Sequence, residues 1–190
     1  MNNKSNISGF ILAGGLSTRM GTDKALLKMG GEPLLSRMIK IISPFCSNVA
    51  ISGIKKDYLV FNTEMIADLV AGIGPISGIY SSLKYSNSDW NLLVSVDVPL
   101  INDELLELLI SNKDGFDCVI PKHDSGLEPL VGIYHKNVLP VVDEMIKNGD
   151  YKLMNLLSKL NACYLDCNVL IKKYPRLFMN LNRPEDYNSI

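Results

Sequence analysis

Apolar runs alternate with helical patterns through the first two-thirds of the chain. Runs at about 7–13, 48–52 and 90–96 predict strands, and the last is unbroken, which is typical of a strand buried on both faces of a parallel sheet. Between the runs, apolar residues recur every three or four positions, as on one face of a helix. Pro75 and Asn102 stand where two of these helices begin. The alternation predicts an α/β fold, a Rossmann-like three-layer αβα sandwich with right-handed crossovers.

The last third of the chain changes this pattern. Strands predicted at about 116–121 and 130–135 follow each other with no helix between them, so we expect a mostly parallel sheet with some antiparallel pairing. A chain of 190 residues suits one domain. The other predicted elements are strands near 65–66, 163–165 and 177–180, helices over about 34–42, 75–83, 103–110, 137–147 and 152–160, and a short last helix opened by Pro184.

The most informative segment follows the first predicted strand and reads L-A-G-G-L-S-T-R-M-G-T-D-K-A-L-L from residue 12 to 27. Its glycines let backbone N–H groups approach a ligand closely, and successive N–H groups form an anion-binding concavity. Arg19 and Lys24 add two positive charges. The segment therefore predicts a loop that binds a nucleoside triphosphate.

Two common phosphate loops do not fit this segment. The Walker pattern G-x-x-x-x-G-K-[ST] fails because Gly15 and Gly21 are one residue too far apart and Thr22 follows Gly21 in place of lysine. The dinucleotide fingerprint G-x-G-x-x-G fails because Gly14 and Gly15 are adjacent.

The string L-A-G-G-x-S-x-R-M-G-x-D-K-A-L resembles the nucleotidyltransferases that attach a nucleotide to the molybdenum cofactor, and most of all the MobA-like guanylyltransferases. Cytidylyl relatives tend to carry L-A-A-G and lack the aspartate before the lysine. The resemblance implies a fold of the nucleotide-diphospho-sugar transferase type. It also implies transfer of GMP from GTP to the terminal phosphate of molybdenum–molybdopterin, with Mg²⁺ as cofactor and pyrophosphate as the other product.

A second motif, V-S-V-D-V-P, places Asp97 at the carboxyl end of the strand at 90–96. Open α/β sheets bind ligands at this end, and Mg²⁺ is held by one or two carboxylates together with phosphate oxygens and water. The alternative is that Asp97 only caps the turn into Pro99. The resemblance assigns the metal role to Asp97.

The resemblance also implies roles for other residues. Leu12, Ala13 and Gly14 are expected to recognise the purine through backbone groups. Ser52 stands where many relatives have asparagine, and Asp68 precedes a glycine-proline stretch as an acidic residue does in the family. The implied catalytic residues are Arg19, Lys24 and Asp97, and the implied nucleotide-binding residues are Leu12, Ala13, Gly14, Gly15, Lys24, Ser52, Asp68 and Asp97.

The C-terminal sequence N-L-N-R-P-E-D matches the family ending N-x-N-x-P-E-D. The resemblance implies that Asn180, Asn182 and Arg183 bind the acceptor; the alternative is that Asn182 caps a helix. We expect a single nucleotidyltransferase domain over 1–190, in which residues from about 7 to 115 bind the nucleotide and residues from about 116 to 190 bind the acceptor.

Composition narrows the class of protein. The net charge of −1 does not favour nucleic-acid binding, and no apolar run is long enough for a membrane span. No signal peptide is predicted, and the four scattered cysteines are expected to stay reduced, so we expect a cytoplasmic protein. The implied partners are GTP and the molybdopterin cofactor as substrates, with contact to molybdenum-insertion proteins or molybdoenzyme chaperones.

Two other functions remain open from the residues. One is another nucleotidyltransferase, which uses CTP to cytidylylate molybdopterin or acts on a sugar phosphate. The other is a non-catalytic GTP-binding regulator that retains the loop. The presence of Arg19, Lys24 and Asp97 together favours an enzyme over a regulator.

Overall fold

A computed structural model describes residues 6–14 and 23–181 of the chain. The strands in these ranges are β1 (Ile7–Leu12), β2 (Lys28–Met29), β3 (Glu32–Pro33), β4 (Asn48–Ser52), β5 (Glu64–Ile66), β6 (Trp90–Ser95), β7 (Cys118–His123), β8 (Gly126–Leu127), β9 (Val131–His135) and β10 (Ala162–Asp166). The α-helices are α1 (Leu34–Ile42), α2 (Pro75–Tyr85), α3 (Asp103–Ser111), α4 (Leu139–Lys147), α5 (Leu153–Ser158) and α6 (Asn168–Lys173). Short 3-10 helices cover Lys24–Leu26, Lys56–Phe61 and Lys136–Val138.

The main sheet has the strand order β10-β7-β9-β6-β1-β4-β5, with β8 paired to β7. β1 is parallel to both β4 and β6, and β5 is parallel to β4. β9 is antiparallel to both β6 and β7, so β7 and its parallel neighbour β10 run in the same direction as β6. This topology confirms the predicted sheet, mostly parallel with some antiparallel pairing. Within the described residues, no helix is both long and apolar enough to cross a bilayer.

Helices cover both faces of the sheet, which confirms the three-layer αβα sandwich. One apolar cluster contains buried residues of α1, α3 and α6, and the other contains buried residues of α2, α4 and α5. Phe10 packs in one cluster and Ile11 in the other, because successive strand residues point to opposite faces. All six residues of β1 are therefore buried, which explains its unbroken apolar sequence.

Helices α2 and α3 begin at the residues that the sequence predicts. The Asn102 side chain accepts a hydrogen bond from the Leu105 N–H at 3.0 Å and so caps α3. Pro75 is the first residue of α2, as expected. Pro33 ends β3 and immediately precedes α1.

The strand predicted at about 177–180 is wrong. Leu177 N–H donates to Tyr174 O at 3.0 Å and Met179 N–H donates to Arg176 O at 2.9 Å, so the segment forms turns. Its apolar residues reflect packing rather than strand periodicity, because Leu177 is buried in the core shared by α1, α3 and α6. The predicted short helix opened by Pro184 lies outside the described residues. None of the four cysteines, all within the described residues, forms a disulfide, as expected.

Gly132 in β9 allows this strand to pack closely against β7. A Cβ at this position would lie 2.7 Å from Ile120 Cδ1 and 2.9 Å from the Val119 carbonyl oxygen. The backbone oxygen cannot rotate away as a flexible side chain could. Strand β9 therefore depends on a residue without a side chain to join β6 to β7.

We expect Gly132→Ala to lower the free energy of unfolding by about 1–3 kcal/mol, because the added methyl overpacks the junction. Urea unfolding measures the change. Gly14→Ala is the matched control, since its Cβ would meet other atoms only at 3.5 Å or more, which is ordinary contact. An unchanged midpoint for Gly132→Ala would contradict the close approach seen at β9.

Candidate active site

The carboxyl ends of β1, β4, β5 and β6 meet at one edge of the sheet. Leu12 pairs with Ser52 on one side and with Ser95 on the other, and Ser52 pairs with Ile66. The chain leaves β1 for β4 on one side and later returns to β6 on the opposite side. Ligands of open α/β sheets bind at such a switch point.

A glycine floor, which we define as Ala13, Gly14 and Gly53, extends this edge beyond the strands. Ala13 N–H donates to Ser52 O at 3.0 Å, and a Cβ on Gly53 would lie 3.2 Å from Gly14 N. A Cβ on Gly14 would lie 3.5 Å from the Asp68 carboxylate. The floor is therefore bare backbone beside an acidic side chain.

Asp68 follows β5 and reaches the glycine floor from an exposed loop position. Partial burial raises the pKa of its carboxyl above the ordinary value. At the glycine floor, this carboxylate can accept hydrogen bonds from the N–H or O–H groups of a ligand.

Ser52 lies beneath the floor rather than on it. Its hydroxyl is buried and has no hydrogen-bond partner within 6–14 and 23–181. A Cβ on Gly78 of α2 would lie 3.4 Å from this hydroxyl and 3.1 Å from Leu12 Cδ2. The carbonyl of Ser52 accepts the hydrogen bond from Ala13, while its buried hydroxyl lies near Gly78 of α2.

Asp97 follows β6 at the same edge, and three segments fix the loop around it. The Ser95 hydroxyl donates to Asp97 Oδ1 at 2.5 Å. Leu181 N–H donates to the Asp97 carbonyl at 2.9 Å, and Arg37 Nε of α1 donates to Pro99 O at 2.8 Å. The carboxylate is therefore held in place while it remains partly exposed.

The Asp97 carboxylate is a candidate ligand for a divalent metal ion. The described part of the chain contains no cluster of three or more His, Cys, Asp or Glu residues that could cage an ion. Zinc and calcium sites need several protein ligands, whereas Mg²⁺ is commonly held by one or two carboxylates with phosphate oxygens and water. A single oriented carboxylate suits a divalent ion that arrives with a phosphate ligand.

Lys24 begins the 3-10 helix Lys24–Leu26, which Asp23 caps. Asp23 Oδ1 accepts the Ala25 N–H at 3.2 Å. Asp23 Oδ2 accepts Lys55 Nζ at 2.7 Å and the Tyr58 hydroxyl at 2.8 Å. Sequence reasoning used Asp23 only as a family marker and missed Lys55 and Tyr58, although an acidic residue between threonine and lysine is a cap signal.

Of the remaining predicted site residues, the structure describes only Asn180. Asn180 is exposed and directly precedes Leu181, whose N–H reaches Asp97. Gly15, Arg19, Asn182 and Arg183 lie outside the described residues. The structure thus brings Leu12, Ala13, Gly14, Ser52 and Asp68 together at one side of the edge, with Asp97 following the adjacent strand β6.

A second group at this sheet edge was not predicted. The His123 imidazole lies within 3.0 Å of Glu128 Oε1 and stacks on Phe178 with ring centroids 5.2 Å apart. Its Nδ1 accepts the Ser125 N–H at 3.2 Å, so the neutral ring carries its proton on Nε2 toward Glu128. This group holds the C-terminal turn that leads to Asn180. Sequence reasoning considered Glu128 only as an acceptor contact or a solvated loop residue, and did not connect it with the aromatic Phe178 two residues before that asparagine.

We expect Ser52→Ala to leave the free energy of unfolding unchanged or to raise it by up to about 1 kcal/mol, because it removes a buried hydroxyl without a partner. Ser8→Ala is the matched control. Its hydroxyl is also buried but donates to Asn48 Oδ1 at 2.8 Å, so its loss should cost about 1–3 kcal/mol. Urea unfolding of both variants measures the two changes in the free energy of unfolding. An equal decrease in both variants would contradict the absence of a hydrogen-bond partner for the Ser52 hydroxyl among the described residues.

Proteins of one family match this chain along most of its length. The family described as the MobA-like NTP transferase domain matches residues 9–163. A probable molybdenum cofactor guanylyltransferase of Flavobacterium johnsoniae is 36% identical over 155 residues, 81% of this chain and 82% of that protein. The molybdenum cofactor guanylyltransferase of Vibrio campbellii is 31% identical over 183 residues, 94% of this chain and 92% of that protein.

Solved structures share the fold. The crystal structure of molybdopterin-guanine dinucleotide biosynthesis protein A from Archaeoglobus fulgidus has a TM-score of 0.80 at 28% identity and covers 96% of this chain and 95% of its own. The 4-diphosphocytidyl-2C-methyl-D-erythritol synthase of Anaerococcus prevotii has a TM-score of 0.68 at 14% identity and covers 96% of this chain and 93% of its own. At that identity the second likeness concerns the fold alone.

Proposed function

The chain belongs to the MobA-like NTP transferase family, and on that premise we propose that it transfers GMP from GTP to the terminal phosphate of the molybdenum–molybdopterin cofactor. Pyrophosphate is the second product. The observation that carries the proposal is the glycine floor against Asp68, with the oriented carboxylate of Asp97 following the neighbouring strand at the same sheet edge.

The floor suits a flat base. A side chain on Gly14 would extend toward the Asp68 carboxylate, and one on Gly53 would press against the backbone of Ala13 and Gly14. We assign guanine recognition to the backbone of Leu12, Ala13, Gly14 and Gly15. Ser52 acts through its carbonyl, which holds Ala13, and Asp68 accepts hydrogen bonds from N–H or O–H groups of the nucleoside.

The phosphates require positive charge and a metal. We assign the β- and γ-phosphates to Arg19 and Lys24, whose charges stabilise the pyrophosphate as it leaves. Asp97 holds the divalent cation, which we propose to be Mg²⁺. When bound, this ion neutralises phosphate charge and polarises the phosphorus under attack.

The reaction needs little covalent chemistry from the protein. An oxygen of the acceptor phosphate attacks the α-phosphorus of GTP in line. The bond from the α-phosphorus to the bridging oxygen breaks, and that oxygen leaves with pyrophosphate. A phosphate monoester has its second pKa at about 6, so the attacking group is already ionised near neutral pH and no general base is required. Positioning and charge neutralisation supply the catalysis.

The acceptor is assigned to the half from about 116 to 190. Strand β7 ends at the same edge as β6, because both are antiparallel to β9. Asn180 stands next to the backbone contact between Leu181 and Asp97, and we assign Asn180, Asn182 and Arg183 to the acceptor. We also propose a cytoplasmic location, supported by four cysteines that form no disulfide, and contact with molybdenum-insertion proteins or molybdoenzyme chaperones.

We expect Asp97→Asn to lower the rate of pyrophosphate release from GTP and molybdopterin cofactor by about 10²–10³-fold, since it removes the charge that holds the cation. Coupled detection of pyrophosphate measures the rate. Asp114→Asn is the control, because Asp114 precedes β7 at the opposite edge and its side chain is highly exposed. Equal activity of wild type and Asp97→Asn, with both folded, would reject the assigned role.

The same assay separates the rival functions. Release with CTP in preference to GTP would identify a cytidylyltransferase, and release with a sugar phosphate in place of the cofactor would identify the sugar-phosphate enzyme. Binding of GTP without pyrophosphate release with either acceptor would identify a regulator. We expect GTP with the molybdopterin cofactor to give the highest rate.

A further inference from the structure

We propose that Asp23, Lys55 and Tyr58 form a positioning cluster that sets Lys24 against the β- and γ-phosphates of the nucleotide. The inference rests on the proposed function, in which Lys24 binds these phosphates. None of the three residues is assigned contact with substrate: the cluster acts through Lys24.

The geometry joins two segments that are far apart in the chain. Asp23 Oδ1 caps the 3-10 helix that Lys24 begins, at 3.2 Å from the Ala25 nitrogen. Asp23 Oδ2 accepts Lys55 Nζ at 2.7 Å and the Tyr58 hydroxyl at 2.8 Å. One carboxylate therefore connects the phosphate-binding segment to the segment that follows the glycine floor.

Burial makes this connection rigid. The Asp23 side chain is 17% exposed, and Tyr58 is fully buried in the core. Burial, followed by the hydrogen bond to Asp23 and its charge, raises the pKa of Tyr58, so its hydroxyl remains a donor. Hydrogen bonds to an ionised acceptor are shorter and stronger than neutral ones. A rotation of Asp23 would break several of them at once.

The cluster also neutralises the negative charge of Asp23. Asp23 is adjacent to Lys24, and an uncompensated carboxylate there would repel the phosphates of a nucleotide. Lys55 neutralises Asp23 at 2.7 Å from a different part of the chain. We infer that Asp23 can hold the backbone of Lys24 without cancelling its charge toward the ligand.

Asp143 provides a matched control elsewhere on the molecule. It also pairs with a lysine, Lys84 at 3.4 Å, and hydrogen-bonds a tyrosine, Tyr80. These three residues lie on α2 and α4 and include no predicted site residue. Asp23→Asn and Asp143→Asn therefore make the same chemical change in two similar groups.

The experiment measures affinity for Mg-GTP by calorimetry and for GMP by competition, with thermal unfolding of every variant. We expect Asp23→Asn to weaken GTP binding about tenfold, within the range of coupled neighbouring residues. GMP binding should stay unchanged because GMP lacks the β- and γ-phosphates. Asp143→Asn should change neither affinity.

A double-mutant cycle tests whether Asp23 acts through Lys24. In a Lys24→Ala background, Asp23→Asn should weaken GTP binding by less than about twofold, since the group it positions is gone. Full additivity of the two substitutions would overturn the inference. Equal losses for GTP and GMP would overturn it as well, because they indicate a general disturbance of the pocket.

Tyr58→Phe is the second variant, used where Asp23→Asn does not fold. It keeps the ring in the core and removes only the hydroxyl that donates to Asp23. We expect about a threefold loss for GTP and none for GMP, and an unchanged GTP affinity overturns the inference. If the wild type binds none of the four triphosphates, the proposed function fails. If it binds one that Asp23→Asn binds equally well, only the positioning role fails.

Discussion

The parallel register of β1 with β4 and β6 is the constraint on which the site depends. It brings Leu12, Ser52 and Ser95 to the same level at one edge of the sheet. Helices on both faces bury all of β1 and most of β4 and β6, and the chain leaves each of these strands at this edge. The glycine floor and the Asp97 loop are the two continuations. Their mutual position therefore follows from strand pairing rather than from contacts between their side chains.

Strand pairing also explains which residue types occupy the floor. Gly53 lies 3.2 Å, measured from an ideal Cβ, from the Gly14 nitrogen, and its φ of +134° is one that other residues rarely adopt. A backbone surface has fixed donors and acceptors and loses no side-chain entropy when a ligand binds. In the proposed function, specificity for a base then comes from main-chain groups together with Asp68, whose carboxylate lies beside Gly14.

The sequence predicts the parts of this arrangement that depend on local pattern. The strand at 48–52, the start of α2 at Pro75 and the Asn102 cap follow from periodicity and turn chemistry. The Asp23 cluster does not, because Lys55 and Tyr58, at the start of the 3-10 helix Lys56–Phe61, reach back across 32 and 35 positions to Asp23. The turn at Leu177 was mistaken for a strand because burial, rather than pairing, selects its apolar residues.

Three carboxylates surround a site proposed for a strongly anionic ligand, and each is compensated differently. Asp23 is neutralised by Lys55, within the protein. Asp97 is oriented by the Ser95 hydroxyl, which leaves its charge available to a cation that accompanies the phosphates. Partial burial raises the pKa of the Asp68 carboxyl, to which the proposed function assigns hydrogen-bond donors of the nucleoside. In that proposal the three compensating partners are a lysine, a metal ion and the ligand itself, so that one residue type serves three different roles.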